Sequence, residues 1–211
     1  MKLKPTRREM LENCVVRGLL LAAAPMSASR LLAAWQQAQA QANTPTPTVG
    51  MGPFYKKNAP NTSTLRQPGD PGFPLRVSGN VLNTRGEAVS GARLDIWHAD
   101  HQGRYDLQGY RYRAKLLVES ASGYALETIL PGHYPDRPAQ HIHCLITAPG
   151  HKTLITQLYF ATDPWFEGDV NKNYAKRGIV SNRDLVRPVT LYDEPGAARA
   201  AVTFDIVLEK A

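Results

Sequence analysis

Pro131-Gly-His-Tyr134-Pro-Asp-Arg137-Pro-Ala-Gln-His141-Ile-His143-Cys-Leu-Ile-Thr147 places a tyrosine, an arginine and a His-x-His pair immediately before and inside an alternating run. If the run from His141 is a strand, side chains point to opposite faces with a period of two. His141, His143, Leu145 and Thr147 then share one face, and Ile142, Cys144, Ile146 and Ala148 share the other. The second face is apolar core. Two imidazoles on the opposite face of a core strand must be hydrogen-bonded or ligated. A His-x-His pair fits a metal site and two hydrogen-bonded structural histidines alike. A phenolate from a nearby tyrosine is a hard anionic donor, which suits ferric iron better than zinc or copper(I).

Other segments repeat the two-residue period. Leu75 to Val81, Ala92 to Trp97, Tyr112 to Val118, Tyr124 to Ile129, Leu154 to Phe160 and Val202 to Leu208 read as strands separated by turns such as Asn83-Thr-Arg-Gly86 and Ser120-Ala-Ser-Gly123. Short strands at this spacing predict an all-β chain, an antiparallel β-sandwich with long irregular loops. One short helix is expected around Pro195 to Ala201, and Asp163 to Arg187 reads as an irregular excursion.

The first 40 residues read as a removable address. Thr6-Arg7-Arg8-Glu9-Met10-Leu11 has the form of a twin-arginine signal, an apolar stretch follows, and Ala38-Gln-Ala40 suits signal peptidase. Arg17 and Arg30 interrupt the apolar run and make it a poor membrane span. Export to the periplasm or beyond is the expectation, with no membrane anchor in the mature form. Of 25 basic and 18 acidic residues, six and two lie in this segment, leaving 19 and 16, a surplus of three. So small a surplus argues against a nucleic-acid partner. Cys144 is then the only cysteine and forms no internal disulfide. Residues 41–74, rich in Pro, Thr, Asn and Gly, read as an extended N-terminal arm from which Phe54 and Tyr55 could pack on the body at 75–211.

The ordered set Ile96-Trp97, Gly103-Arg104-Tyr105, Pro131-Gly-His-Tyr134-Pro135, Arg137-Pro138, His141-Ile-His143 and Thr156-Gln157-Leu-Tyr-Phe160 resembles the intradiol ring-cleavage dioxygenases. Within that family it looks most like the protocatechuate 3,4-dioxygenase type and its secreted relatives. The resemblance spans roughly residues 50–210 and includes the opening Gly52-Pro-Phe-Tyr. It implies a non-haem ferric iron, Fe(3+), held by Tyr105, Tyr134, His141 and His143. It also implies cleavage of a catechol by O2 to a cis,cis-muconate-type diacid. Tyr134 would be the ligand that dissociates and helps take a substrate proton, Arg137 would stabilise developing negative charge, and Gln157 would hydrogen-bond beside the ligands. His98 and His101 match no family ligand and read as polar surface residues or neighbours of the ligands. The segment Arg137-Pro-Ala-Gln-His141 is one residue longer than in relatives, so a bulge or a displaced guanidinium is expected, and Asp136 stands where relatives carry tryptophan. The family includes monomers, homo-oligomers and hetero-oligomers. Two other readings use the same letters: a prealbumin-like or carboxypeptidase-regulatory-like binding module around Val77 to Leu94, and an exported zinc or copper site.

Overall fold

The computed structural model describes residues 44–119, 123–135, 137–194 and 197–211. The signal reading at 1–40 and the Asp136 comparison lie outside the described residues.

Eleven strands make up the described architecture. They are β1 (Pro74–Gly79), β2 (Val81–Asn83), β3 (Ala92–Trp97), β4 (Arg113–Val118), β5 (Tyr124–Ile129), β6 (His141–Thr147), β7 (Leu154–Phe160), β8 (Val186–Arg187), β9 (Thr190–Glu194), β10 (Ala197–Thr203) and β11 (Ile206–Leu208). They form a four-stranded sheet in the order β5-β1-β10-β9, a five-stranded sheet β4-β3-β6-β7-β8, and the pair β11-β2. The all-β expectation holds. Three pairings, β1–β10, β2–β11 and β7–β8, run parallel, so the sandwich is mixed and not wholly antiparallel.

Alternation assigns each face. Leu75, Val77, Leu126, Ala200 and Val202 from the first sheet and Leu94, Ile96, Ile142, Cys144, Ile146 and Leu158 from the second belong to one buried cluster. Cys144 is fully enclosed there, and burial pushes its thiol up to about 12, so it is an inert apolar filler.

The helix expected around Pro195 to Ala201 is not formed; residues 197–203 are strand β10. Its alanines favour helix intrinsically, but pairing with β1 on one side and β9 on the other outweighs a propensity of a few tenths of a kcal/mol per residue. The excursion after β7 holds three 3-10 turns and one short helix, α1 (Val170–Asn173), capped by Asp163, Asp169 and Asn182.

The N-terminal segment from Thr44 is fastened along the body rather than hanging free. Thr46 N donates to Val207 O at 3.0 Å, and Val49 N to Ile155 O at 2.8 Å. Further on, Leu65 N donates to Glu127 O at 2.8 Å. Between these anchors the chain passes over the outer face of β6.

Candidate metal centre

The register of the five-stranded sheet builds one wall of the site. Arg113, Trp97, His143 and Gln157 are successive cross-strand partners on β4, β3, β6 and β7, so all four project from one face in a row. His141 and Tyr159 form the next pair on the same face. This is the face opposite Ile142, Cys144 and Ile146, and its histidines are buried because the N-terminal segment covers them. A Cβ placed on Gly52 would stand 3.3 Å from His143 Cε1, and Gly52 adopts φ +71. Only glycine allows the backbone to lie that close in that conformation.

Two loops supply the tyrosines. Gly103, at φ +80, and Gly132 let the Gly103-Arg-Tyr105 loop and the Pro131-Gly-His-Tyr134 loop touch backbone to backbone: a side chain on either would collide with the other loop's main chain. Asp100 O joins them by accepting from Gly103 N at 3.1 Å and Gly132 N at 2.7 Å. Tyr105 and Tyr134 therefore meet edge to face, ring centroids 5.7 Å apart at 81°.

Tyr105, Tyr134, His141 and His143 converge. Tyr134 Oη lies 3.3 Å from His141 Nε2, His141 Nε2 3.1 Å from His143 Nε2, and His143 Nε2 3.1 Å from Tyr105 Oη. Atoms about 2.1 Å from a shared centre and about 95–105° apart stand about 3.1–3.3 Å from one another. The donor spacing fits one cation. Two neutral imidazoles and two phenols form a set for a hard, highly charged ion, since two phenolates offset its charge. Among the described residues, no three His, Cys, Asp or Glu side chains gather at one point.

Burial disfavours charge on the rings of this cluster. Burial lowers His141 to about 4, and burial followed by the neighbouring His141 lowers His143 well below its ordinary value. Both rings are neutral at pH 7. Burial, then the adjacent Tyr134, raises Tyr105 far above the ordinary phenol range. His141 Nδ1–H donates to Ala139 O at 2.8 Å, which turns the Nε2 lone pair toward the other donors. Gln157 Nε2 donates to His143 Nδ1 at 3.2 Å, and Gln157 Oε1 accepts from Tyr159 Oη.

Arg137 reaches this network. A tight turn closes from Tyr134 to Arg137, with Arg137 N donating to Tyr134 O at 3.0 Å. The guanidinium then lies 3.5 Å from Gln157 Oε1 and is close enough to lower Tyr159 against the rise that burial causes.

Of the two readings of His98, the surface one is overturned. It is 1 % exposed, not on the surface, with Nδ1–H donating to Ala99 O and Nε2 accepting from Thr128 Oγ1, both at 2.7 Å. His133 is half-exposed and bonds buried Asp163 at 2.9 Å; His151 closes a turn onto Pro149 O. Sequence reasoning passed over Trp97 as a ring partner of His143, Arg113, and Tyr159 as the neighbour of His141 at 5.6 Å. Counting by twos from Gln157 puts Tyr159 on its face; Trp97 and Arg113 needed the strand register.

Strand sandwich, loop-borne tyrosines and strand-borne histidines together bring four candidate donors for a hard cation to one place. The family model described as Dioxygenase matches residues 51–210. Chlorocatechol 1,2-dioxygenase of Rhodococcus opacus is 31% identical over 188 residues, covering 75% of this chain and 70% of that protein. Hydroxyquinol 1,2-dioxygenase of Nocardioides simplex is 33% identical over 141 residues, 56% of this chain, and this chain spans about half (48%) of its length. The dioxygenase domain of a dioxygenase carbohydrate-binding protein fusion from Streptomyces sp. SirexAA-E superposes with a TM-score of 0.66 at 33% identity, over 80% of this chain and 100% of that domain. The chain belongs to the intradiol ring-cleavage dioxygenase family.

Proposed function

We propose that Tyr105, Tyr134, His141 and His143 hold a ferric ion, and that the chain uses it with O2 to open a catechol-type ring into a cis,cis-muconate-type diacid. Three successive donor–donor contacts of 3.1–3.3 Å, running Tyr134, His141, His143, Tyr105, carry this reading. The ion would supply Lewis acidity and a one-electron redox partner that makes a bound catechol reactive toward O2.

The chain's own residues divide the remaining tasks. His143 presents Nε2 to a cation once its ring hydrogen sits on Nδ1, which requires the Gln157 amide to turn Oε1 toward it. Phe54 stacks on Tyr105 at 4.1 Å and 16°, holding that ring in place. Tyr134 sits on a Pro-flanked loop with its ring partly exposed, so it is the phenol that would swing away and accept a proton from an incoming diol. Arg137, beside Gln157, places a fixed positive charge where the ring gains negative charge. Trp97, Phe54 and Gly52 keep water from the imidazoles. The relatives' names include catechol, chlorocatechol and hydroxyquinol 1,2-dioxygenases. We assign this chain the same class of vicinal diol, with the protocatechuate-type likeness resting on its motifs. Export by the twin-arginine route is part of the same proposal and rests on residues 1–40.

Ferric loading of the purified protein should give a red-brown tyrosinate charge-transfer band. Oxygen uptake with catechol, protocatechuate and hydroxyquinol should follow, and Tyr105→Phe or His143→Ala should abolish both band and uptake. A protein that stays colourless with ferric iron and consumes no O2 with any of the three would return the chain to the binding-module reading.

A further inference from the structure

One carboxyl group outside the four donors ties together the two segments that deliver Tyr134 and His141. The Asp163 side chain is fully enclosed, 0% exposed. Its Oδ1 accepts from Trp165 N and from His133 Nε2, both at 2.9 Å, and its Oδ2 accepts from Gln140 N at 2.6 Å. Gln140 Nε2 in turn donates to Pro131 O at 2.7 Å. The residue before Tyr134 and the residue before His141 are thus fastened to the same buried group at the start of the excursion after β7.

Two of the three bonds to Asp163 have a local folding task. The Trp165 bond caps the 3-10 turn that begins at Pro164, and the Gln140 bond satisfies an amide at the entry to β6. The His133 bond has no such task. It joins positions thirty residues apart, and its imidazole is 46% exposed while its acceptor is sealed. A carboxylate only accepts, so the ring nitrogen facing Asp163 carries the hydrogen whichever charge the imidazole bears. On the other flank Gly132 N donates to Asp100 O at 2.7 Å, and Arg137 N closes back on Tyr134 O at 3.0 Å. The main chain at 132, 133 and 134 is therefore held at each residue, whereas the Tyr134 ring is only partly buried.

We propose that His133 is a positioning residue for Tyr134. Its bond to Asp163 keeps the loop backbone still, so that the phenol turns about its own side-chain bonds when it leaves the cation site and comes back to the same place. Without that bond the loop moves with the ring, and Tyr134 Oη loses its station 3.3 Å from His141 Nε2. A misplacement of about 1 Å in a reacting group can cost about 10²-fold in rate, so even part of that shift is measurable. The role given to Tyr134 rests on the ring-cleavage reading; the tie from His133 to Asp163 does not.

The test compares His133→Ala with His133→Gln in the full-length protein. The amide nitrogen of glutamine reaches about as far as imidazole Nε2 and can donate to Asp163, and alanine cannot. Trp165 N and Gln140 N stay on Asp163 in both variants, so neither leaves the buried carboxylate unpaired. In metal-free protein, amide exchange at Gly132 and Arg137 should speed up at least about tenfold in the alanine variant and stay near wild type in the glutamine variant. In iron-loaded protein, the alanine variant should keep its iron, shift the tyrosinate band, and lose about tenfold in kcat for catechol with KM changed by less than about threefold. The glutamine variant should return kcat to within about threefold of wild type. Wild-type exchange or wild-type kcat in the alanine variant, or a glutamine variant no better than alanine, would overturn the proposal. Wild-type protein with neither band nor oxygen uptake sinks the ring-cleavage reading and this role together; an active wild type beside an unaffected alanine variant sinks this inference alone.

Discussion

Trp97 lies flat against His143, ring centroids 4.8 Å apart and planes within 5° of parallel. The contact follows from their register as partners on β3 and β6. Tyr55 leans on the same indole at 5.0 Å, so indole and imidazole belong to one packed ring cluster. A ring held by a flat neighbour and one amide has little freedom to turn. Trp97→Leu should lower iron affinity by about 10–100-fold, the range for residues that orient metal ligands. Competition against a chelator measures it, and an unchanged iron affinity would show the stack to be incidental.

The role proposed for Arg137 is electrostatic. Its guanidinium faces Gln157 Oε1 at 3.5 Å. Arg137→Ala should keep the red-brown band and lower kcat by about 10²-fold, the usual effect of removing one electrostatic stabiliser. Loss of the band in this variant would mean that the arginine supports the ligands themselves.

Gly103→Ala tests the junction of the two tyrosine loops. A methyl group there would collide with His133 O, and φ +80 disfavours any side chain. The expected cost is at least about 1–3 kcal/mol of stability, together with separation of Tyr105 from Tyr134 and loss of iron retention. Thermal melting and iron analysis read the two effects separately.

The buried histidines make the metal-free protein sensitive to acid. Burial lowers His98 and His141 from 6.5 to about 4. Between those values the unfolded chain takes up protons that the folded chain refuses, so stability is complete above pH 6.5 and declines as pH falls toward 4. For His98 the decline from pH 7 to pH 5 is about 2 kcal/mol. His98→Gln should remove most of that part of the slope in urea titrations at the two pH values, without affecting iron binding. An identical slope would show that His98 protonates in the fold as readily as outside it.

Much of the fold was readable from alternation. The expected spans at 92–97, 124–129, 141–147 and 154–160 coincide with β3, β5, β6 and β7. The failures have physical causes. Ala197 to Ala201 lacks the bulk that marks a strand, and its alanines point locally to helix; pairing with β1 across more than a hundred residues makes it β10. His98 follows a strand in a polar stretch, and only packing under Tyr112 and Thr128 shows it to be buried. Arg137 seemed one residue too far from the histidines, yet its guanidinium comes within 3.5 Å of Gln157 Oε1, the amide beside His143.

Chain order and a period of two were enough to name most of the strands and to put His141 and His143 on one face; the family's motifs nominated Tyr105 and Tyr134 as their companions. They could not say that Trp97, His143 and Gln157 stand in one row, or that Gly52 and Phe54 close over it. Side-chain direction along a strand is local, set by backbone geometry from one residue to the next. Which strands become neighbours, and with what offset, is settled only when distant apolar faces bury each other, and the distances between donor atoms exist only after that choice.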